Sequence, residues 1–256
     1  MTLERKVALV TGSGRGIGRG IALAFARAGY DVCVNYNRSA EGAEAVVAEI
    51  RAMGLRSEAV QADISTIEGV DRLYAGFRAS FDRLDVHVAN SGITRMRPFL
   101  ETTPELFDEV MNTDLRGLYF CSQRAASIMA EQGTKGVLIH ISSNHAEGTW
   151  SNATVYAAAK AAVNKLTKNM ALDLAGYGIR VVGIAPGYTQ LGEPKDDRMR
   201  AGIAKVSSRI PLGRFATTAE VGEAAVFLSS DHAGYMTGTT MYMDGGSLLP
   251  VWADKG

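Results

Sequence analysis

Thr11-Gly12-Ser13-Gly14-Arg15-Gly16-Ile17-Gly18 directly follows the apolar run Lys6–Thr11 and opens an amphipathic segment near 16–29. Glycine allows the left-handed or cramped backbone that a sharp turn needs. Bare of side chains, such a turn lets backbone N–H groups approach a pyrophosphate at the positive end of the next helix. Strand, glycine turn and helix in this order predict the first βα unit of a parallel sheet, with Gly12, Ser13, Arg15, Gly16, Ile17 and Gly18 as candidate phosphate neighbours. An ordinary βα turn is the alternative reading of the glycines alone.

The rest of the chain keeps the same rhythm. Asp31–Tyr36, Arg56–Gln61, Asp85–Ala89, Gly136–Ile141, Arg180–Ala185 and Thr239–Met243 are further strand candidates. Helical patterns lie near 39–53, 66–82, 104–132, 153–176 and 218–230. Alternation of this kind implies βαβ units and a doubly wound α/β sheet with helices on both faces. No linker or repeat divides the chain, so residues 1–256 are expected to form one domain. The polar stretch from about 188 to 214 breaks the pattern; a lid over a binding cleft is one reading, a solvated insertion the other.

At 256 residues and 46% hydrophobic, the chain can bury a core without a disulfide or metal. Lys+Arg and Asp+Glu both total 27, so charge gives no reason to expect nucleic acid or a membrane as partner. Cys33 and Cys121 fall in apolar segments and are expected to fill core space. His87, His140, His145 and His232 lack metal-ligand spacing, so no metal site is expected. The charged start and the lack of an apolar run of roughly 18 residues make a cytoplasmic location the expectation.

The second strand ends Val34-Asn35-Tyr36-Asn37-Arg38-Ser39, without the carboxylate that would hold adenosine ribose hydroxyls. Asn35, Arg38, Ser39 and Arg15 could hydrogen-bond a 2′-phosphate, which favours NADP(H) over NAD(H). A solvated helix-start residue is the alternative for Arg38. Farther on, Tyr156 and Lys160 are four residues apart on a predicted helix and therefore share a face. A free tyrosine has a pKa near ~10, and a neighbouring ammonium lowers it by about 1–3 units, up to about 4 kcal/mol of proton-transfer driving force. Ser143 closes the strand before that helix, at the carboxyl edge where open parallel sheets bind ligands. Neighbouring strands end in Asn90-Ser91-Gly92 and Pro186-Gly187 around the same edge.

Together with Asp63-Ile64 and Asp244-Gly245-Gly246, these residues make the chain resemble the short-chain dehydrogenases/reductases of about 250 residues, almost end to end. The resemblance implies a Rossmann-type parallel seven-stranded sheet, a homotetramer, and a small alcohol or carbonyl substrate. It makes Tyr156 the general acid/base, lets Ser143 orient the substrate oxygen, and has Lys160 bind the nicotinamide ribose while lowering the tyrosine pKa. It places Asp63 and Ile64 at adenine, and Asn90, Ser91, Gly92, Pro186 and Gly187 along the cofactor.

The sequence departs from the family at Asp114, which stands where an Asn is usual, at the start of Asp114-Leu115-Arg116-Gly117. Position 114 also falls on a helical stripe with Phe107, Val110, Met111, Leu118, Cys121 and Ala125. A carboxylate there needs a partner or a raised pKa. In the family that Asn helps hold a water linking the lysine to solvent; Asp114 is expected to keep this relay, the alternative being that it has no relay role. Leu191 replaces a Thr that often holds the carboxamide, and Thr189 is the candidate substitute.

The loop from Asn144 to Asn152 borders the site and carries His145 and Trp150. It suits a small hydroxylated compound and is similar to that of glucose 1-dehydrogenase-like members; His145 as a loop cap is the alternative. Other stretches resemble reductases of 3-oxoacyl carrier protein and of cyclic ketones. A third reading is a cofactor-binding regulatory protein without turnover, against which Ser143, Tyr156 and Lys160 argue. The tail Leu248–Gly256 is expected either to pack on a neighbouring subunit or to fray.

Overall fold

Four-residue β1 (Val7–Val10) is buried at every position, as expected of a strand covered on both faces. In the computed structural model, which describes residues 5–249, it is the third of seven parallel strands. The others are β2 (Asp31–Tyr36), β3 (Ser57–Gln61), β4 (Val86–Ala89), β5 (Val137–Ile141), β6 (Arg180–Pro186) and β9 (Thr240–Met243). Their order is β3-β2-β1-β4-β5-β6-β9. After β3 the chain returns past β1 to form β4, so the winding reverses between β1 and β4. A crevice opens at such a switch point, and the glycine turn follows β1 at this place.

Helices α1 (Gly16–Arg27), α2 (Ala40–Ala52), α3 (Ile67–Ser80), α4 (Pro104–Met111), α5 (Leu118–Gln132), α6 (Thr154–Leu174), α7 (Asp197–Ser207) and α8 (Thr218–Ser229) complete the fold. Apolar residues of α1, α2 and α8 pack on one face of the sheet, and those of α3, α5 and α6 on the other. Cys33 and Cys121 are buried and free, filling the second core.

Two expectations are corrected. The helix expected over 104–132 is interrupted by a π-helical turn, Asn112–Gly117. The widened turn rotates the apolar stripe, so α4 packs through Val110 and Leu106 while Phe107 is 46% exposed. Asp114 lies in this turn and is fully buried. The stretch 188–214 is more regular than its composition indicates. It contains α7, capped by the Asp196 side chain on the Met199 N–H at 2.7 Å, and a two-residue strand β7 (Thr189–Gln190) paired with β8 (Ala216–Thr217). No residue of α7 is fully buried: Met199 is exposed, and Ile203 and Val206 are only partly covered, so its apolar positions mark a shallow contact and not a core face. Of the tail, Pro250–Gly256 lies outside the described residues.

Candidate active site

A cleft of about 1120 Å³ runs along the carboxyl edge of the sheet. The glycine turn forms one end. Gly12 adopts φ +64°, and its N–H donates to Asn35 Oδ1 at 3.2 Å. A Cβ on Gly18 would stand 2.4 Å from the Gly12 carbonyl oxygen and 2.5 Å from Asn90 Nδ2. The turn therefore closes on the helix only if that position is bare. No side chain caps the N-terminus of α1, so its first N–H groups are free to face the cleft.

Thr11 ties this turn to the next strand. Its hydroxyl oxygen accepts the Asn90 and Ser91 N–H groups at 2.9 and 3.0 Å, and Asn90 Nδ2 donates to the Thr11 carbonyl at 2.8 Å. Two loops on either side of the switch point are thereby held as one wall.

Gly12, Arg15, Gly16, Ile17 and Gly18 line this end, with Tyr36, Arg38, Ser39, Asp63 and Ile64 beside them. Arg15 and Arg38 are exposed. Asn35 also borders the cleft, but its amide is committed to the protein: Nδ2 donates to the carbonyls of Val60 and Ala62 at 3.2 Å each. Partial burial opposes ionisation of Asp63, yet hydrogen bonds from the Ser65 hydroxyl and N–H, and from Asn37, hold its carboxyl below the usual range. Ser13 does not line the cleft. It is fully buried, and its hydroxyl donates to the Val10 carbonyl at 2.7 Å.

Ser143, Tyr156, Lys160, Asn90, Ser91, Gly92, Pro186 and Gly187 converge at the other end. Helix α6 carries Tyr156 half-buried and Lys160 buried. Lys160 Nζ lies 5.6 Å from the Tyr156 ring centre, donates to the Ile141 carbonyl at 3.1 Å, and stands 3.1 Å from Asp114 Oδ2. The other Asp114 oxygen accepts the Ile93 N–H at 2.8 Å. Burial works against the lysine charge, but Asp114 and Tyr156 more than offset it, so the Lys160 pKa is raised. The partner that a carboxylate at 114 requires is thus Lys160 itself, in direct contact.

The His145–Trp150 loop is ordered by a polar chain. Ser247 donates its hydroxyl to Asp244 at 3.0 Å and accepts the Asn144 amide at 3.2 Å. Asn144 Oδ1 therefore faces His145 Nδ1, 3.2 Å away. The same nitrogen lies 3.2 Å from Ser143 Oγ. His145 stacks on Trp150 at 3.9 Å and meets Tyr156 edge-on at 5.3 Å. Its Nε2 is buried, with no partner among the described residues, and partial burial lowers the imidazole pKa. Thr189 does not line the cleft; its hydroxyl donates to the Gly187 carbonyl at 3.2 Å, while Leu191 faces the cleft.

Sequence reasoning missed the Asn144–Ser247–Asp244 chain, which spans over 100 residues, and the Ile141 carbonyl under Lys160. It also missed Arg95 and Glu109, which pair at 2.8 Å on the cleft wall. No local pattern marks these residues.

The family model described as enoyl-(acyl carrier protein) reductase matches residues 12–247. The chain belongs to the short-chain dehydrogenase/reductase family. It is 40% identical over 247 residues to a 3-oxoacyl-(acyl-carrier-protein) reductase of Staphylococcus aureus, covering 95% of this chain and 98% of the other. Acetoin dehydrogenase from Enterobacter cloacae superposes with a TM-score of 0.90 at 34% identity, covering 98% of this chain and 100% of that one. A candidate NAD(P)-dependent gluconate 5-dehydrogenase from Beutenbergia cavernae, with NADP bound, gives 0.87 at 35% identity, with 97% and 98% covered. The protein is thus an oxidoreductase of this family, which acts on CH–OH groups with NAD(P). Among the described residues no helix is long and apolar enough to cross a membrane.

Proposed function

We propose that this protein interconverts a secondary alcohol and a carbonyl with NADP(H), using Tyr156 as general acid/base. The observation that carries the reading is the convergence of Ser143, Tyr156 and a buried, charged Lys160 on the cleft that the glycine turn opens. The bare turn, closed tightly on the helix through Gly18, and the uncapped α1 terminus fit a pyrophosphate. When bound, the dinucleotide supplies or accepts the hydride.

The chain's own residues handle the proton and the orientation. Ser143 donates a hydrogen bond to the substrate oxygen, and Tyr156 gives its proton to that oxygen in reduction or takes it in oxidation. Lys160 holds positive charge behind the phenol and offers its remaining N–H to the ribose. Exposed Arg15 and Arg38, with Ser39, are the donors for a 2′-phosphate; Asn35 braces the turn and Ser13 packs beneath it. Asp63, Ile64, Asn90, Ser91, Gly92, Pro186 and Gly187 complete the cofactor wall in this reading, with Thr189 behind it on the Gly187 carbonyl.

A sugar or other polyol is the substrate class we favour. His145 and Trp150 do not line the cleft, and His145 Nε2 is buried, but their stack abuts the Tyr156 ring, and the polar loop that carries them suits a small hydroxylated compound better than a bulky apolar one. Similarity to the Staphylococcus reductase supports a 3-oxoacyl substrate as the second reading, and similarity to a 3beta-hydroxysteroid dehydrogenase of Eggerthella lenta supports its cyclic-ketone variant. The same proposal places the protein in the cytoplasm as a homotetramer, with 188–214 as a lid. A panel of sugars, 3-oxoacyl thioesters and cyclic ketones, run with NADP(H) and NAD(H), tests it. Turnover of a polyol with at least tenfold preference for NADP(H) is expected; NADPH binding without turnover of any panel member contradicts it.

A further inference from the structure

The cation at the reaction end is paired with a carboxylate that the family does not usually place there. The side chains of Lys160 and Asp114 are 4% and 0% exposed. The π-helical turn delivers Asp114, α6 delivers Lys160, and the loop after β4 makes room for both. A Cβ on Gly92 would come 2.8 Å from Asp114 Oδ2 and 3.3 Å from Lys160 Nζ. Three elements thus close around one ion pair.

We propose that Asp114 is a positioning residue that offsets the charge of Lys160, disfavours the phenolate form of Tyr156, and so places the pH limbs of oxidation and reduction together at higher pH than a lone lysine would. The proposal rests on the assignment of Tyr156 as acid/base.

In reduction the carbonyl carbon gains a hydride from the reduced dinucleotide, and the carbonyl oxygen gains the Tyr156 proton. The phenolate left behind is reprotonated from solvent. Oxidation runs in reverse and must begin from the phenolate. A lone ammonium behind the phenol would favour that form. An ammonium in contact with a carboxylate presents a dipole instead of a net charge, and its pull on the phenolate is weaker.

Other nearby groups do not supply the missing charge. His140, on β5, is held neutral by burial, its pKa down at about 4. His145, on the turn after β5, is also lowered by burial. From α4 and the loop before it, Glu109 and Arg95 neutralise each other. Glu147, on the loop after β5, is engaged with the Tyr242 hydroxyl, and Asp244, after β9, with Ser247 and the Leu248 N–H. Lys160 on α6 and Asp114 on the π-helical turn are the charged pair behind the Tyr156 ring.

The test is the pH profile of kcat/KM in both directions for the wild type and Asp114→Asn. The acid limb of oxidation and the alkaline limb of reduction should move together to lower pH by about one unit or more. A role confined to packing would scale the rates without moving either limb. Profiles that stay in place, or move to higher pH, overturn the proposal.

A second readout needs neither cofactor nor turnover. The near-ultraviolet tyrosinate titration of Tyr156 is isolated by subtracting the matching Tyr156→Phe protein, as the chain has 9 tyrosines. Its midpoint should fall in Asp114→Asn, and also in Asp114→Ser, which serves where the Asn variant is not recovered folded; an unmoved midpoint overturns the proposal. Full activity in Tyr156→Phe alone would instead sink the assignment of the acid/base.

Discussion

The two ends of the cleft are built by opposite means. At the glycine-turn end the wall is backbone, and adding a single carbon at Gly18 would drive it into the Gly12 carbonyl. At the reaction end the wall is side chains, with an ion pair and two buried imidazoles, His87 and His140, in the strands beneath it. The first end is broken by adding atoms, and the second by removing charge or changing pH. A fold can therefore hold its cofactor with geometry and keep its electrostatics for the reacting atoms.

Lys160→Met should separate the two ends most sharply. It leaves Asp114 buried without its counter-ion, and such losses cost about 3–5 kcal/mol. Urea denaturation should show a loss of that order, with turnover down by about 10²–10⁴. A stability loss below about 1 kcal/mol would mean that the ion pair contributes little.

Acid should weaken the sheet beneath the reaction end. His140 bridges Ser122 and Thr167 at 3.0 and 2.9 Å, and His87 lies 3.4 Å from the Tyr74 hydroxyl. Burial lowers their pKa values to about 4 and about 3. Below the unfolded histidine value of about 6.5 the unfolded chain takes up protons that the native state refuses. Stability is therefore full above that pH and falls by about 1.4 kcal/mol per pH unit for each imidazole, toward the folded values. Denaturation midpoints from pH 7 to 5 should show a loss of about 4 kcal/mol, and His140→Gln should roughly halve the slope. A flat profile would show that the imidazoles are hydrated.

Gly18→Ala should act at the other end. The clash forces the turn open at about 1–3 kcal/mol, read as a 10- to 100-fold loss of NADPH affinity with little change in the pH profile. The smallest effect is expected from Arg38→Ala: NADPH binding weakens about tenfold and NADH binding stays unchanged. Equal losses for both cofactors would remove Arg38 from the 2′-phosphate.

The same contrast explains what could be read from the sequence. The strands were legible because most are short apolar runs bounded by turn residues, edge strand β3 (Ser57-Glu58-Ala59-Val60-Gln61) being the polar exception, and the glycine turn because its geometry excludes side chains. Tyr156 and Lys160 were legible by helical spacing, and Asp114 as a charge on an apolar stripe. Its contact with Lys160 was not, because a π-helical turn sets the phase and has no compositional signature; Phe107 was misplaced for the same reason. The Asn144–Ser247–Asp244 chain depends on β9 meeting the loop after β5, a juxtaposition created only by the folded sheet. Helix α7 hid because its larger apolar residues, Met199, Ile203 and Val206, are exposed or only partly covered and sit among charges.

The division of labour between the ends is tested most directly by Tyr156→Phe, with NADPH affinity and single-turnover reduction measured on the same preparation. Affinity should stay within about threefold of wild type while the rate falls by about 10³. A rate within tenfold of wild type, or a parallel collapse of affinity, would contradict the placement of proton transfer on this tyrosine.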